Sequence, residues 1–417
     1  MNFLVINIKE LVQAEPKARL KVAGKQMSKL PTVKDAYLYV ESGRIIDFGK
    51  MDDLNNKRER YFTMSTKIID ASGKYILPAW CDSHTHIVYA GSREKEFVDK
   101  IKGLTYEEIA KRGGGIINSS KLLQKTSEEE LYEQSMARLQ EMVKFGTGAV
   151  EIKSGYGLNL ESELKMLRVI RKMKENSEVK IKATFLGAHA IPPEYIGLPE
   201  DYVNLIINEM IPVVAGEELA DFIDVFCDHG FFTTEQTERI LMSGIKHGLR
   251  PKIHANELAL SGGIQTGVKY GALSVDHIEY TGDEEIECLM DTDTMPTILP
   301  GAAFFLNMPL APARKMIDAG LPVALATDYN PGSSPSGNMN LIMSMGCINY
   351  KMLPEEVINA VTINSAYAMG ISEKYGSIAV GKAANIIITK PISSIEYIPY
   401  SFGSNVIESV YLNGKLQ

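Results

Sequence analysis

The sequence predicts an α/β protein: a (β/α)8 TIM barrel with a small composite β-sandwich domain built from both termini. Apolar runs that read as strands alternate with amphipathic helices along the middle of the chain, whereas both ends read as strands with few helical signals. In addition, six of the seven histidines follow or end these apolar runs. An open doubly wound sheet is the competing architecture, but no Gly-x-Gly-x-x-Gly turn follows any predicted strand.

The terminal segments are expected to form the small domain together. Residues 36–40 and 45–49 alternate like strands around a turn at residues 41–44, which predicts a hairpin. Residues 1–75 cannot close a sandwich alone, because they hold too few strands. We therefore assign residues 1–75 and 371–417 to the two parts of the β-sandwich and residues 76–370 to the barrel.

Eight strand and helix units account for the barrel. Amphipathic helices separate the strands, and one of them is expected to begin at Ser127, to use Glu130 in a capping box and to end at Gly146. The predicted barrel strands are the run from Tyr75 to Cys81, which leads to His84, and residues 146–155, 181–189, 222–229, 251–257, 274–279, 294–299 and 322–328.

Composition excludes several classes of partner. The chain has 417 residues, of which 45% are hydrophobic and 23% charged, and its formal net charge is -8. This acidic balance argues against nucleic acid or an anionic membrane surface as a partner, and a small anionic substrate would need a local cation. No signal-peptide layout or membrane-spanning apolar stretch is present. The four cysteines lack Cys-x-x-Cys spacing and read as buried thiols in a reducing cytoplasm.

A metal site is indicated at the C-terminal ends of the predicted strands, where barrel proteins carry their chemistry. His84 and His86 are two residues apart on a strand, so their imidazoles can face one point. Two ligands rarely hold a metal, and His254 and Asp328 are the best-placed additional candidates. Three histidines and one aspartate would leave a position for water on zinc or iron. Alternatively, His254 could be a core histidine and Asp328 a helix cap.

Three further residues have plausible roles beside the metal. Glu257 could move a proton to or from water or a substrate nitrogen, or it could orient a ligand. His277 could polarise the attacked carbonyl or order the water, or it could be a structural hydrogen bonder. Arg93 is the natural partner for a substrate carboxylate, because a planar guanidinium binds one through two parallel hydrogen bonds. Without such a substrate it would be an ordinary surface arginine.

Several motifs together resemble the amidohydrolase superfamily: Leu77-Pro78, Asp82-Ser83-His84-Thr85-His86, the His254 strand, Asp276-His277 and Thr327-Asp328. Finer motifs are similar to those of one family within it, the imidazolonepropionases. These motifs are Tyr89-Ala90-Gly91-Ser92-Arg93, Tyr106 with Gly113-Gly114-Gly115-Ile116, Glu151-Ile152-Lys153-Ser154-Gly155-Tyr156-Gly157-Leu158, Thr184-Phe185-Leu186-Gly187-Ala188-His189, His254-Ala255-Asn256-Glu257 and Asp328-Tyr329-Asn330-Pro331-Gly332-Ser333-Ser334-Pro335.

The resemblance implies hydrolytic opening of 4-imidazolone-5-propanoate to N-formimino-glutamate by a homodimer with one Zn2+ or Fe3+ ion per subunit. The implied metal ligands are His84, His86, His254 and Asp328. Asp328, Glu257 and His277 would be catalytic. The implied substrate-binding residues are Arg93, Tyr106, Tyr156, His189, Glu257, Asn330, Gly332 and Ser333.

Two other functions fit parts of the pattern. An aminopurine or cytosine deaminase would share the metal ligands but has no need of a carboxylate-binding arginine such as Arg93. A metal-free binding protein on the same barrel would lose metal ligands, whereas this chain keeps all four candidates. Arg93, together with Tyr156 and His189, therefore favours hydrolysis of the propanoate-bearing cyclic amide.

Overall fold

Two β-sheets organise the chain in the computed structural model, which describes residues 2–104, 108 and 114–417. The strands are β1 (Asn2–Val12), β2 (Thr32–Glu41), β3 (Arg44–Lys50), β4 (Thr66–Asp70), β5 (Tyr75–Pro78), β6 (Trp80–Thr85), β7 (Thr147–Lys153), β8 (Lys180–Ala188), β9 (Phe222–Cys227), β10 (Arg250–Pro251), β11 (Ile253–Ala255), β12 (Ser274–His277), β13 (Met295–Ile298), β14 (Ala324–Leu325), β15 (Ile386–Thr389), β16 (Ile407–Leu412) and β17 (Lys415–Leu416).

Helices occupy most of the connections between the strands. The α-helices are α1 (Met51–Leu54), α2 (Arg58–Tyr61), α3 (Glu94–Ile101), α4 (Ile116–Lys125), α5 (Glu128–Lys144), α6 (Leu160–Glu175), α7 (Pro199–Leu205), α8 (Ile211–Gly216), α9 (Thr234–Lys246), α10 (Gly263–Lys269), α11 (Asp283–Leu289), α12 (Pro300–Leu306), α13 (Ala313–Ala319), α14 (Met339–Ile348), α15 (Pro354–Asn359), α16 (Ser365–Ala368) and α17 (Tyr397–Tyr400). None of the described helices combines the length and apolar character needed to cross a membrane.

The terminal strands form one sheet in the order β17-β16-β15-β5-β1-β2-β3, and β4 also pairs with β1. Strands β2 and β3 form the predicted hairpin, with Val40 opposite Ile45. The register of β1 shifts between Val5 and Ile8, where Asn7 adopts a left-handed φ of 56°. The half of β1 before this bulge pairs with β4 and the half after it pairs with β5. Both chain ends thus contribute to the small domain, as predicted.

Eight parallel strands form the barrel in the order β6-β7-β8-β9-β11-β12-β13-β14, which confirms the predicted (β/α)8 architecture. The barrel closes between the end of β6 and the residues that follow β14. The backbone N–H of Asp328 donates to the carbonyl of His84 at 3.0 Å, and that of His86 donates to the carbonyl of Tyr329 at 3.0 Å. Barrel closure therefore brings two histidines and the aspartate together.

The apolar run from Tyr75 to Cys81 is two strands, so its prediction as one strand was wrong. Tyr75–Pro78 is β5 and pairs with β1 and β15 of the terminal sheet. After Ala79, whose N–H donates to the Asn385 carbonyl at 2.9 Å, Trp80 begins β6 beside β7. Both strands are buried, so hydrophobicity alone could not separate them. The domain bounds at residues 75 and 370 stay a prediction.

Local sequence signals fix where α5 begins and how the chain turns from it into β7. The Ser127 side chain accepts from the Glu130 N–H at the start of α5, as the sequence predicts. Gly146 follows the helix with a φ of 99°, and a Cβ there would lie 2.8 Å from Nε1 of Trp80. Only glycine fits both the turn and the packing against β6.

The seam between β6 and β14 gives a test of stability. Thr327 donates through Oγ1 to the fully buried Asp82 at 2.6 Å and accepts from the Tyr329 N–H at 3.1 Å. Thr327→Val should lower the free energy of unfolding by about 1–3 kcal/mol, because valine keeps the shape but leaves buried polar groups without a partner. Urea unfolding followed by circular dichroism measures the change.

Thr297→Val on β13 is the matched control. Thr297 is also fully buried, and its Oγ1 lacks a hydrogen-bond partner among the described residues. Valine should be neutral or slightly stabilising there, since no bond is lost and a buried hydroxyl is removed. Equal destabilisation by the two substitutions would contradict the role assigned to the seam.

Candidate active site

A cavity of about 440 Å³ opens at the C-terminal ends of the barrel strands. It contains nearly all of the residues predicted for the site. Its lining consists of His86, Arg93, Lys100, Ile116, Tyr156, His189, Phe226, Phe231, His254, Glu257, Leu258, His277, Leu306, Asp328, Asn330, Gly332 and Ser333. A larger cavity of about 700 Å³ between α5 and β16 has no histidine in its lining.

Three imidazoles and one carboxylate converge at the floor of the cavity. One nitrogen from each of His84, His86 and His254 lies within 4.8 Å of the other two. Asp328 Oδ1 lies 3.6 Å from Nε2 of His84 and 3.6 Å from Nε2 of His86. Nε2 of His84 and of His254 are buried and have no hydrogen-bond partner among the described residues. Unpaired buried acceptors grouped in this way are what a metal ion requires.

The imidazoles are neutral, as metal ligands must be. Burial lowers the pKa of His84 and that of His86 well below the usual value, and it lowers that of His254 as well. Nδ1 of His84 lies 2.7 Å from Asp276 Oδ2, and Nδ1 of His254 lies 3.1 Å from Asp224 Oδ1. Each carboxylate fixes a proton on Nδ1, so that Nε2 presents its lone pair to the cavity.

Two buried lysines hold these carboxylates in place. Lys153 donates to Asp224 at 2.8 Å and to Glu151 at 2.6 Å, and it lies 3.5 Å from Asp276. Lys252 donates to Glu151 and to the Ser83 carbonyl. All five charged side chains are completely buried. Burial alone would raise the pKa of Asp224, but the hydrogen bonds from His254 and Lys153, together with the charge of Lys153, hold it well below its usual range.

The donor set therefore fits a zinc-type or iron-type ion. Imidazole nitrogen and carboxylate oxygen are ligands that both metals accept, and three histidines with one aspartate leave further coordination positions open. His84, His86, His254 and Asp328 are the residues that would hold the ion. The structure brings together all four residues that the sequence nominated, and their assignment as ligands stays a prediction.

Glu257 and His277 form an acidic and basic pair on the wall above this floor. Oε2 of Glu257 lies 3.5 Å from Nδ1 of His277, and Oε2 of Glu279 lies 3.8 Å from the same nitrogen. Burial raises the pKa of Glu257, although His277 opposes it. Burial would lower the pKa of His277, but the two glutamates outweigh it and raise that pKa. A proton held between them is available to a substrate in the cavity.

Arg93 reaches the cavity but is not free. Its Nε and Nη2 donate to Oε2 of Glu96 at 2.8 and 2.5 Å. Oε1 of Glu96 accepts from the Gly115 N–H at 3.0 Å. Nη1 lies so close to Gly332 that a Cβ there would be 2.2 Å away. Arg93 can still direct a substrate carboxylate through its outer N–H groups, but its charge is already balanced.

The loop after Asp328 is shaped by Asn330. The Oδ1 atom of Asn330 accepts from the N–H groups of Gly332 and Ser333 at 2.8 Å each, and its Nδ2 donates to the Asp328 carbonyl at 2.7 Å. Ser333 donates to Asp328 Oδ2 at 3.3 Å. The side-chain amide of Asn330 is thus fully used within the loop. Its predicted part in substrate binding would be to hold Gly332 and Ser333 in position.

The other predicted binding residues have different placements. Tyr156 and His189 both border the cavity, with ring centroids 5.6 Å apart. Nδ1 of His189 lies 3.0 Å from the Gly155 carbonyl, and burial lowers its pKa to about 3, so the imidazole is neutral. Tyr106 lies outside the described residues. His229, which the sequence did not assign to the site, is exposed and does not border the cavity.

Three residues at the strand ends that carry the site have a left-handed backbone conformation. Asn256, His277 and Asp328 have left-handed φ values of 54°, 78° and 52°. Such conformations cost about 1–3 kcal/mol each for residues other than glycine and persist only where neighbouring contacts enforce them.

Sequence reasoning missed the functional role of Asp224, Glu151 and Lys252, and it gave Asp276 no role of its own. The signal was present, because Glu151, Asp224 and Asp276 are charged residues inside buried strands and Lys252 lies between strands β10 and β11. A charge at such a position must be paired. Which charges pair across four strands depends on the barrel, so the partners could not be named from spacing alone.

Comparison with known proteins gives relatives along the whole chain. The model of the amidohydrolase family matches residues 75–416. An imidazolonepropionase of Christiangramia forsetii is 58% identical over 416 residues and covers 100% of both chains. An imidazolonepropionase of Geobacillus kaustophilus is 42% identical and covers 98% of this chain and 96% of its own.

Solved structures show the same fold at much lower identity. The E. coli guanine deaminase superposes with a TM-score of 0.76 at 14% identity, over 100% of this chain and 99% of its own. A triazine hydrolase variant superposes with a TM-score of 0.76 at 16% identity, over 100% of this chain and 94% of its own. These similarities show the fold alone.

The carboxylate behind His254 gives a test of the metal site. Asp224→Asn should weaken metal binding by about 10–100-fold, because an amide cannot enforce the same proton position on Nδ1. Titration against a chelator of known affinity measures the change. Asp221→Asn is the control: Asp221 precedes the same strand and pairs with Lys182 at 2.5 Å, away from the cavity. Equal weakening in both variants would show that the effect is not local.

Proposed function

The chain belongs to the amidohydrolase family and, within it, to the imidazolonepropionases, and on that premise we propose how its residues open a cyclic amide. The protein is a hydrolase of histidine degradation that breaks a C–N bond of 4-imidazolone-5-propanoate to give N-formimino-L-glutamate. The resemblance inferred from the sequence is thereby confirmed. A deaminase is not favoured, because the deaminases share only the fold.

The observation that carries the mechanism is the position of Asp328. Its Oδ1 is equally distant, at 3.6 Å, from Nε2 of His84 and of His86, and its other oxygen is within 3.3 Å of the Ser333 hydroxyl. Burial raises the pKa of Asp328 to about 6. A carboxylate with that pKa, at the floor of a cavity of about 440 Å³, is mostly ionised at neutral pH and can accept a proton from water whose own pKa a bound metal ion would lower.

The remaining chain residues divide the work of ring opening. Asp328 takes the proton of the attacking water as a C–O bond forms at the ring carbonyl. As the ring C–N bond breaks, the leaving nitrogen needs a proton. Glu257 and His277, whose side chains lie 3.5 Å from each other, supply it. Tyr156 and His189 pack against the ring, while Arg93 directs the propanoate.

The family implies a metal ion at this site. When bound, such an ion supplies a Lewis acid that lowers the pKa of water from 15.7 to about 7. We further propose zinc or iron, one ion per subunit, because three imidazoles and one carboxylate suit both. A cytoplasmic homodimer completes the proposal; the family resemblance supports the dimer, and cysteines without a paired spacing support the compartment.

Removal of the metal should abolish turnover. A preparation stripped with a chelator should leave the ultraviolet absorbance of freshly made imidazolone propanoate unchanged beyond its spontaneous decay, and added zinc or iron should restore its loss. His254→Ala should not be restored, because an essential ligand is missing. Full activity in protein with no detectable metal by mass spectrometry would refute the proposal.

Glu257→Gln tests the proton donor. The substitution should lower kcat by about a hundred- to ten-thousand-fold, which is the usual loss for a general acid or base. Metal content should be unchanged, because Glu257 lies on the wall and not among the proposed ligands. Steady-state kinetics with metal analysis of the same samples separates the two effects. Near-native kcat in Glu257→Gln would transfer the role to His277 alone.

A further inference from the structure

A second cation, which sequence reasoning did not nominate, borders the cavity beside Arg93. Lys100 lies near the end of α3, and its Nζ is 3.4 Å from the Gly332 carbonyl. Gly332 is the same residue against which the Arg93 guanidinium packs. Lys100 and Arg93 therefore converge on one point of the loop that follows Asp328.

The two cations differ in their charge balance. Arg93 forms an ion pair with Glu96, so the two side chains together have no net charge. Both side chains are largely buried, with 12% of Arg93 and 11% of Glu96 exposed. Within the described part of the chain, Lys100 has no carboxylate within ion-pair distance; its contacts are the Gly332 carbonyl and the Phe305 ring, whose centroid lies 5.8 Å away. Burial and then Arg93 lower the pKa of Lys100, and the charge of Glu96, which is already paired with Arg93, opposes them only in part.

The geometry points to Lys100 as the residue that supplies the net positive charge of the substrate-carboxylate subsite. We propose that Arg93, neutralised by Glu96, fixes the direction of the carboxylate, while Lys100 attracts and neutralises it. This inference rests on the proposed function, since it concerns the propanoate of the same substrate. In a chain of net charge -8, an unbalanced cation at the cavity is what admits an anionic substrate and disfavours a neutral one.

Substitution of Lys100 separates charge from direction. Lys100→Met should raise KM for imidazolone propanoate by about ten- to a hundred-fold, the usual loss for one charge-assisted hydrogen bond, with kcat nearly unchanged. Lys100→Arg should recover most of the loss, because it keeps the charge. The primary amide of the same substrate, which carries no charge, should show no difference between wild type and Lys100→Met.

Lys95→Met is the matched control, because Lys95 lies exposed on the same helix and outside the cavity lining. It removes the same charge and should leave both substrates unaffected. An equal loss for acid and amide in Lys100→Met, or equal losses in the Lys100 and Lys95 variants, would overturn the proposal. A KM for the acid that is unchanged in Lys100→Met would do so as well.

Binding of an unreactive carboxylate makes failure of this inference distinct from failure of the proposed function. Titration calorimetry with 3-(imidazol-4-yl)propanoate requires no turnover. Wild type should bind the probe at least about ten-fold more tightly than Lys100→Met does. Lys95→Met should bind it as tightly as wild type does. If wild type binds the probe in this pattern but does not turn over imidazolone propanoate, the function is wrong and the subsite stands. Equal binding of the probe by all three proteins would refute the role proposed for Lys100, whether or not the protein turns over imidazolone propanoate.

Discussion

The structure depends on burying charge at the centre of the barrel without leaving it unpaired. Glu151, Asp224 and Asp276 meet Lys153 and Lys252 in a completely buried cluster beneath the histidines. Three carboxylates against two ammonium groups leave one negative charge, which a cation above the cluster would balance. Removing one partner from such a cluster is strongly destabilising, so the side chains have little freedom to move.

This cluster determines what the imidazoles can do. His84 and His254 are each tied through Nδ1 to a carboxylate of the cluster, at 2.7 and 3.1 Å. Their Nε2 atoms therefore face the cavity as hydrogen-bond or metal acceptors. Asp328 follows the neighbouring strand β14, and its backbone N–H closes the seam by donating to the His84 carbonyl. The fold and the site therefore use the same contacts, and neither could change without the other.

Much of this organisation could be predicted from residues alone. His84 lies near the end of β6 and His86 just beyond it, and His254 and Asp328 belong to or follow apolar runs, so parallel strand ends bring them together. The division of the run at residues 75–81 could not be predicted, because both halves are buried and only their pairing partners differ. Contacts between distant residues, such as Arg93 with Gly332 or Asp224 with Lys153, depend on how the barrel closes.

The reaction itself tests whether this cavity hydrolyses the propanoate-bearing cyclic amide. Metal-replete protein is mixed with freshly generated 4-imidazolone-5-propanoate, and the loss of ultraviolet absorbance, the product and any ammonia are measured together. We expect rapid loss of absorbance, formation of N-formimino-glutamate and no ammonia, since a ring C–N bond is hydrolysed without deamination. An imidazolone spectrum that decays no faster than without protein, with ammonia released from an aminopurine instead, would contradict it.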